Sequence, residues 1–360
     1  MRKDPWLRYE TFQRPKRKGR LFRHSDLSEE ISHLRKSDRF RISVAGQSVR
    51  GKDIYHIVTG KGPIPVLLWS QMHGNESTGT RAFFDFFSFL DARTENLEPW
   101  KSKILERLTL HFIPMLNPDG AEKWQRENEL GIDLNRDALK RTAPESQILS
   151  KIHALIRPRF GFNMHDQSVY YAAGNSLKPA SITLMAPPCD PDDSLSPARL
   201  KALKVSVMIK NNLSALIPGQ IARWKDDYEP RAFGETFQGL GTSTILVETG
   251  GFPGDEEKNF LSRLTGFLLL ESLYQIASNQ YMEAEINEYF NIPLNRENGM
   301  FDRIERNRQC ITAGYSYIAD LGYRKKEIFD GNAIQTQDML EATGDLSLFG
   351  SYQECYPLIP

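Results

Sequence analysis

The chain is poor in cysteine. Cys189, Cys310 and Cys355 are its only three, and they lie far apart with no Cys-x-x-Cys spacing. So sparse and odd a set argues against a disulfide framework and against a thiolate zinc site. Net charge is missing too: 46 Lys and Arg balance 46 Asp and Glu. No overall pull toward nucleic acid or a membrane surface follows. No apolar run approaches the ~20 residues that a membrane span needs. Residues 1–23 are basic and broken by charges, without the apolar core of a secretory signal. These absences predict a cytoplasmic protein without nucleic-acid or membrane partners. The basic cluster at residues 14–20 reads as solvated surface rather than a polyanion patch, because the rest of the chain is not basic. Internal repeats, low-complexity tracts and long Gly/Ser linkers are also lacking.

What is present is an ordinary globular composition: 360 residues, 40% hydrophobic and 26% charged, enough for a large domain plus a small one. Residues 66–69, 108–115, 160–164 and 243–247 are apolar runs of the kind buried on both sheet faces. Residues 40–44 and 52–58 read as short strands joined by a turn at Arg50-Gly51. Helices are predicted over 27–34, 80–90, 144–156, 196–216 and 256–278. This alternation predicts a mixed, mostly parallel central sheet covered by helices on both faces. After residue 280 the character changes, and residues 302–311, 315–323 and 345–349 read as short strands with Gly-rich turns. The expected organisation is a polar, basic segment over 1–40, a main domain over 41–280 and a small β-rich appendage over 281–360.

Polar residues collect where the predicted strands end. His73 and Glu76 come after the first buried run, three residues apart. Asn117 comes after the second, in the turn sequence Asn117-Pro118-Asp119-Gly120. His165 succeeds the third and Glu248 the fourth. In open α/β sheets ligands bind beyond the carboxyl ends of the strands, so these groups are expected on one rim. Imidazole nitrogen and carboxylate oxygen are zinc-ligand types, and a catalytic zinc needs three protein ligands plus an open position. Taken singly, His165 is equally a structural histidine, and Glu248 reads rather as a helix cap or a surface ion-pair partner than as a base. His111, inside an apolar run, reads as hydrogen-bonded core; His153, beside Lys151 on a helix, reads as surface. Arg126, Asn135 and Arg136 offer substrate-holding chemistry, since a guanidinium grips a carboxylate through a planar fork.

Together, His73-x-x-Glu76, Asn117-Pro118-Asp119-Gly120, Arg126, Asp133-Leu134-Asn135-Arg136, His165 and Glu248 resemble the zinc metallocarboxypeptidase family (the carboxypeptidase A superfamily). The resemblance covers roughly residues 40–275 and points to its non-secreted, bacterial-type branch. It implies one zinc per chain on His73, Glu76 and His165, with Asp133 orienting a ligand histidine. It implies Arg126 as the cation for the oxyanion, Asn135 and Arg136 as the clamp on the substrate's terminal carboxylate, and Glu248 as general base. A substrate-contacting aromatic hydroxyl on a loop before the base is matched best by Tyr228, with Tyr170 and Tyr171 as further cleft candidates. The implied substrate is a peptide or peptide-like molecule with a free C-terminal carboxylate. A murein-peptide amidase or N-acyl amino acid deacylase on the same scaffold is the alternative, and a non-catalytic zinc module a third. The pocket for the terminal side chain is expected within residues 231–242, where Phe233 and Phe237 argue for an apolar wall and Arg231 and Glu235 for a polar one.

Overall fold

The computed structural model describes residues 4–10, 19–92, 97–176 and 178–297, with backbone strands at 303–305, 311–318 and 322–328. Its strands are β1 (Arg41–Gln47), β2 (Asp53–Gly60), β3 (Ile64–Ser70), β4 (Leu108–Ile113), β5 (Phe160–Asp166), β6 (Ala172–Ala173), β7 (Ile182–Met185), β8 (Ile221–Arg223), β9 (Ser243–Thr249) and β10 (Asn295–Arg296). Its helices are α1 (Asp4–Glu10), α2 (His24–Leu34), α3 (Thr78–Asp91), α4 (Glu98–Arg107), α5 (Pro118–Lys123), α6 (Pro144–Ile156), α7 (Pro197–Leu213), α8 (Phe233–Gly239), α9 (Asn259–Ser278) and α10 (Asn287–Phe290).

Eight strands form one sheet in the order β1-β2-β4-β3-β5-β9-β7-β8. The centre, β4-β3-β5-β9, is parallel. The hairpin β1-β2 joins β4 antiparallel, and β7 runs antiparallel to β9. Strand β3 shows why this sheet needs cover on both faces. Its side chains alternate in direction, so Val66 and Leu68 enter one core with α3, α7 and α9. Leu67 and Trp69 enter the other with α6 and α8. On the first face Phe83 and Phe87 of α3 meet Phe112 of β4 edge-on at 5.2 and 4.7 Å, an arrangement that suits the ring quadrupoles. On the second, Trp69 meets Phe237 of α8 at 5.5 Å. Helix α3 comes so close to the sheet that a Cβ on Gly79 would lie 2.6 Å from Met164 Cβ, so only glycine fits there.

The expected fold class is observed, with differences in detail. The basic N-terminal stretch is not all solvated: Trp6 and Tyr9 of α1 and Phe22, Leu27 and Ile31 join the main core. The expected basic cluster lies mostly outside the described residues. Helix α4 and strands β7 and β8 carry no pattern that announces them in the sequence. Tyr281, Tyr289 and Ile292 also join the main core, so packing continues past residue 280. The strands at 303–305, 311–318 and 322–328 form a three-stranded antiparallel sheet, while the strand expected at 345–349 lies outside the described residues. Among the described residues, no helix is long and apolar enough to cross a membrane.

Candidate active site

Three central parallel strands end on one rim, and each delivers a polar group there. Strand β3 runs into the loop bearing His73 and Glu76. Strand β5 ends in His165 and Asp166, and β9 in Glu248 and Thr249, with His165 opposite Glu248 in the β5–β9 register. The loop after β3 is held from below by Asn117. Its side chain caps α5 by accepting from Gly120 N at 2.8 Å and donates to the carbonyls of Met72 and Arg126, both at 3.2 Å. Asn117 is fully buried. Its role is to join the His73 loop to the Arg126 segment rather than to meet a ligand.

His73, Glu76 and His165 converge, with one ligand atom from each all within 4.8 Å of one another. The His73 and His165 Nδ1 atoms are 3.2 Å apart. Glu76 Oε1 lies 2.8 Å from the first and Oε2 2.8 Å from the second. Asp133 Oδ1 accepts from His73 Nε2 at 3.1 Å, which holds a ring proton on that nitrogen and aims Nδ1 inward. Such a buried, acceptor-rich set calls for a shared cation, either a proton or a metal. The proton side is visible in His73: burial opposes its charge, but Glu76 and Asp133 outweigh burial and hold its pKa up at about 9. Burial works against the Glu76 charge too, yet the two imidazoles keep that carboxyl far below its usual range. Burial pushes His165 down. The set also fits zinc. Two nitrogens and one carboxylate oxygen form a catalytic tri-ligand set, and 3.2 Å is close to the edge of a tetrahedron built on zinc–nitrogen bonds of about 2.0–2.1 Å.

Around this cluster lies a cleft of about 770 Å³ whose lining includes Arg126, Asn135, Arg136, Glu235 and Glu248. Arg126 is oriented by Asp133, whose Oδ2 accepts from its Nε at 3.0 Å, and its Nη1 reaches to 3.4 Å from Glu76. Arg136 donates to the Asn135 carbonyl at 2.8 Å and has Glu229 3.6 Å from its Nε. Asn135 Oδ1 accepts from Phe233 N at 3.1 Å, tying this turn to the start of α8. Glu248 is half-buried, with Oε2 sealed from solvent and unpaired. Burial first, and then the Glu76 charge, raise its carboxyl well above the ordinary range. Glu235 is 6% exposed and burial lifts it to about 7.

Tyr228 is half-buried and is not among the cleft-lining residues, although its neighbours Asp227 and Glu229 are. Tyr171 lines the cleft and Tyr170 does not. His153 is not a surface residue: it is 6% exposed, stacks on Phe237 at 3.8 Å and bonds Thr242 Oγ1 at 2.8 Å. His111 is half-buried, lies within β4 and pairs with His56 at 3.0 Å, and it is not among the residues lining the cleft. Sequence reasoning missed Trp224, Asn295 and Glu297, which also line the cleft.

A family model described as zinc carboxypeptidase matches residues 29–155. Carboxypeptidase 2 from Trichophyton tonsurans is 24% identical over 180 residues, covering 49% of this chain and 28% of the relative. Carboxypeptidase M from Mus musculus is 30% identical over 108 residues, covering 26% of this chain and 24% of the relative. The chain thus spans about a quarter of the length of these curated relatives. Among solved structures, a metallo-carboxypeptidase from Burkholderia cenocepacia superposes with a TM-score of 0.58 at 14% identity, covering 71% of this chain and 69% of that one. One from Pseudomonas aeruginosa, in complex with (2-guanidinoethylmercapto)succinic acid, gives 0.57 at 15% identity, with 71% and 69% coverage. The structural likeness speaks for the fold. The sequence match falls on the stretch that carries His73, Glu76, Arg126, Asp133, Asn135 and Arg136, and over that stretch the chain is similar to the zinc carboxypeptidase family.

Proposed function

We propose that this protein is a zinc-dependent carboxypeptidase that hydrolyses the C-terminal amide bond of a peptide or peptide-like substrate. The observation that carries the reading is the sharing of one cleft by a His73–Glu76–His165 cluster, the carboxylate of Glu248 and two arginines. In this reading His73 Nδ1, Glu76 and His165 Nδ1 hold one zinc per chain. Zinc held there supplies Lewis acidity, polarising a carbonyl and lowering the pKa of water to about 7. Asp133 keeps the His73 ring turned inward. Glu248 takes the proton of the attacking water and returns it to the departing amine. Arg126, preset by Asp133, stabilises the negative charge that develops on the carbonyl oxygen. Asn135 and Arg136 hold the substrate's terminal carboxylate and so fix which bond is cut. Tyr228 belongs to this scheme only if its loop turns toward the cleft when substrate binds.

The clamp supplies the test. Charge-assisted hydrogen bonds contribute about 1.5–3 kcal/mol, so Arg136→Ala is expected to raise KM for C-terminally free peptides by about 10- to 100-fold. C-terminally amidated substrates should be unaffected. Equal loss on free and blocked substrates would move the reading to an amidase or a deacylase, which a screen on murein peptides and N-acyl amino acids would then separate.

Glu235 supports a finer assignment. A buried carboxylate on the wall of the terminal-side-chain pocket favours a cationic terminal residue. Its pKa of about 7 means that the charge is present above pH 7 and lost below. The kcat/KM ratio of Lys- or Arg-terminated over Leu-terminated peptides is therefore expected to fall by about tenfold from pH 8 to pH 6. In Glu235→Gln the ratio should be low and flat; a wild-type ratio that ignores pH would remove Glu235 from this role.

A further inference from the structure

Beneath the rim lies a buried cation that the proposed reaction does not use. Lys258, just before α9, is 1% exposed. Its Nζ donates to the Thr249 carbonyl at 2.8 Å and lies 3.5 Å from Asp166 Oδ2. Thr249 is next to Glu248 on β9, and Asp166 is next to His165 on β5. The two pairs are in register, His165 opposite Glu248 and Asp166 opposite Thr249. One ammonium thus spans both strands a single residue beyond the proposed ligand and base.

The chain commits heavily to this arrangement. Lys258 adopts φ of +50°, the left-handed region that costs an L-residue about 1–2 kcal/mol. A buried ammonium is costly unless paired, and Asp166 provides the pairing. Asp166 is itself wired to the site: its N–H donates to Glu76 Oε2 at 3.1 Å, and its Oδ2 accepts from Thr78 Oγ1 at 2.7 Å. Thr78 opens α3 directly after the loop of His73 and Glu76. A strained backbone residue carrying a buried charge beside a site points to function.

We infer that Lys258 is a positioning residue: through Asp166 and the Thr249 carbonyl it fixes the spacing between the metal-ligand cluster and Glu248. The inference rests on the metal and base roles proposed above. Supports of this kind typically change metal affinity or activity by about 10- to 100-fold when removed.

The test uses Lys258→Met combined with Asp166→Asn, which removes both charges together and so avoids stranding one in the interior. Zinc affinity is read by chelator competition, and kcat and KM are measured on zinc-saturated, folded protein with a C-terminally free dipeptide. The expected result is zinc affinity weaker by about 10- to 100-fold and kcat lower by a similar factor, with KM within about threefold. Lys258→Arg, which keeps the charge, should hold zinc within about threefold of wild type. A double variant with zinc affinity and kcat within twofold of wild type would overturn the inference, whatever its Tm. So would a loss in Lys258→Arg as large as in the double variant, since packing alone would then explain both. Should wild-type protein turn over no C-terminally free peptide, the proposed activity fails, and zinc affinity still decides the role of Lys258.

Discussion

Changing Glu248 to glutamine is expected to leave zinc bound and to lower kcat by about 10²- to 10⁴-fold, the usual contribution of a positioned general base. Glutamine keeps the size and one carbonyl oxygen but cannot accept a proton at neutral pH. Zinc content should be unchanged, because Glu248 lies across the β5–β9 register from His165 rather than among the three converging donors. KM should move little, since the terminal carboxylate is assigned to Asn135 and Arg136. The environment suits a base. Burial and the neighbouring Glu76 raise its carboxyl well above the ordinary range, and a base is most effective when its pKa lies near the working pH. Glu248 must be deprotonated to act, so wild-type kcat/KM falls as the medium is acidified through its pKa. The residual rate of Glu248→Gln should lack that limb. Metal analysis together with steady-state kinetics on a C-terminally free peptide checks both halves. A variant that keeps zinc and turns over within tenfold of wild type would show that the proton goes elsewhere.

The readable part of this molecule comes from burial on two faces. Residues 66–69 are a continuous apolar run, and 160–164 and 243–247 are predominantly apolar, because β3, β5 and β9 are covered on both sides, and such stretches announce themselves. The polar residues at their carboxyl ends are then predictable, which is why His73, Glu76, His165 and Glu248 are candidates for one rim on sequence alone. Helix α4 escapes such a reading because its charged residues hide a narrow apolar stripe: only Lys101 and Ile104 are buried in it. His153 misleads for the opposite reason. It sits near Lys151 in sequence, but α8 crosses the same face and lays Phe237 on its ring. Lys258 stands among acidic and polar residues at the start of the helix expected over 256–278, with no pattern that marks it as buried. Its burial depends on Asp166 and Thr249, which are remote in sequence from each other and meet only through strand pairing. Asn295 and Glu297 reach the cleft through the pairing of β10 with β6, a two-residue contact with no periodicity to read. Periodicity reports which elements form; it does not report which distant side chains those elements bring together.

Stripping the metal is expected to abolish activity and to lower Tm by on the order of 10 °C near pH 8. A ligand at about 1,000 times its dissociation constant stabilises the folded state by about 4 kcal/mol, and a chain of this size shifts by a few degrees per kcal/mol. The size of the drop should depend on pH in a definite direction. In the metal-free protein Glu76 and Asp133 hold the His73 pKa up at about 9. That protonated ring stabilises the fold fully below its unfolded pKa of about 6.5, and the contribution is lost as pH rises through about 9. Stripped protein is therefore helped in acid and weakened in alkali. Metal binding requires the same nitrogen without its proton, so apparent zinc affinity should fall by about tenfold per pH unit from pH 8 to pH 6. Both effects have the same sign: the Tm gap between loaded and stripped protein is widest at alkaline pH and narrows toward pH 6. His73→Ala should close the gap at every pH, because two donors do not make the tri-ligand site. Melting curves with and without chelator at pH 6, 7 and 8, alongside chelator competition, read both quantities. Native protein that contains no zinc, or an affinity that stays flat across this range, would break the link drawn between His73, its two carboxylates and the metal.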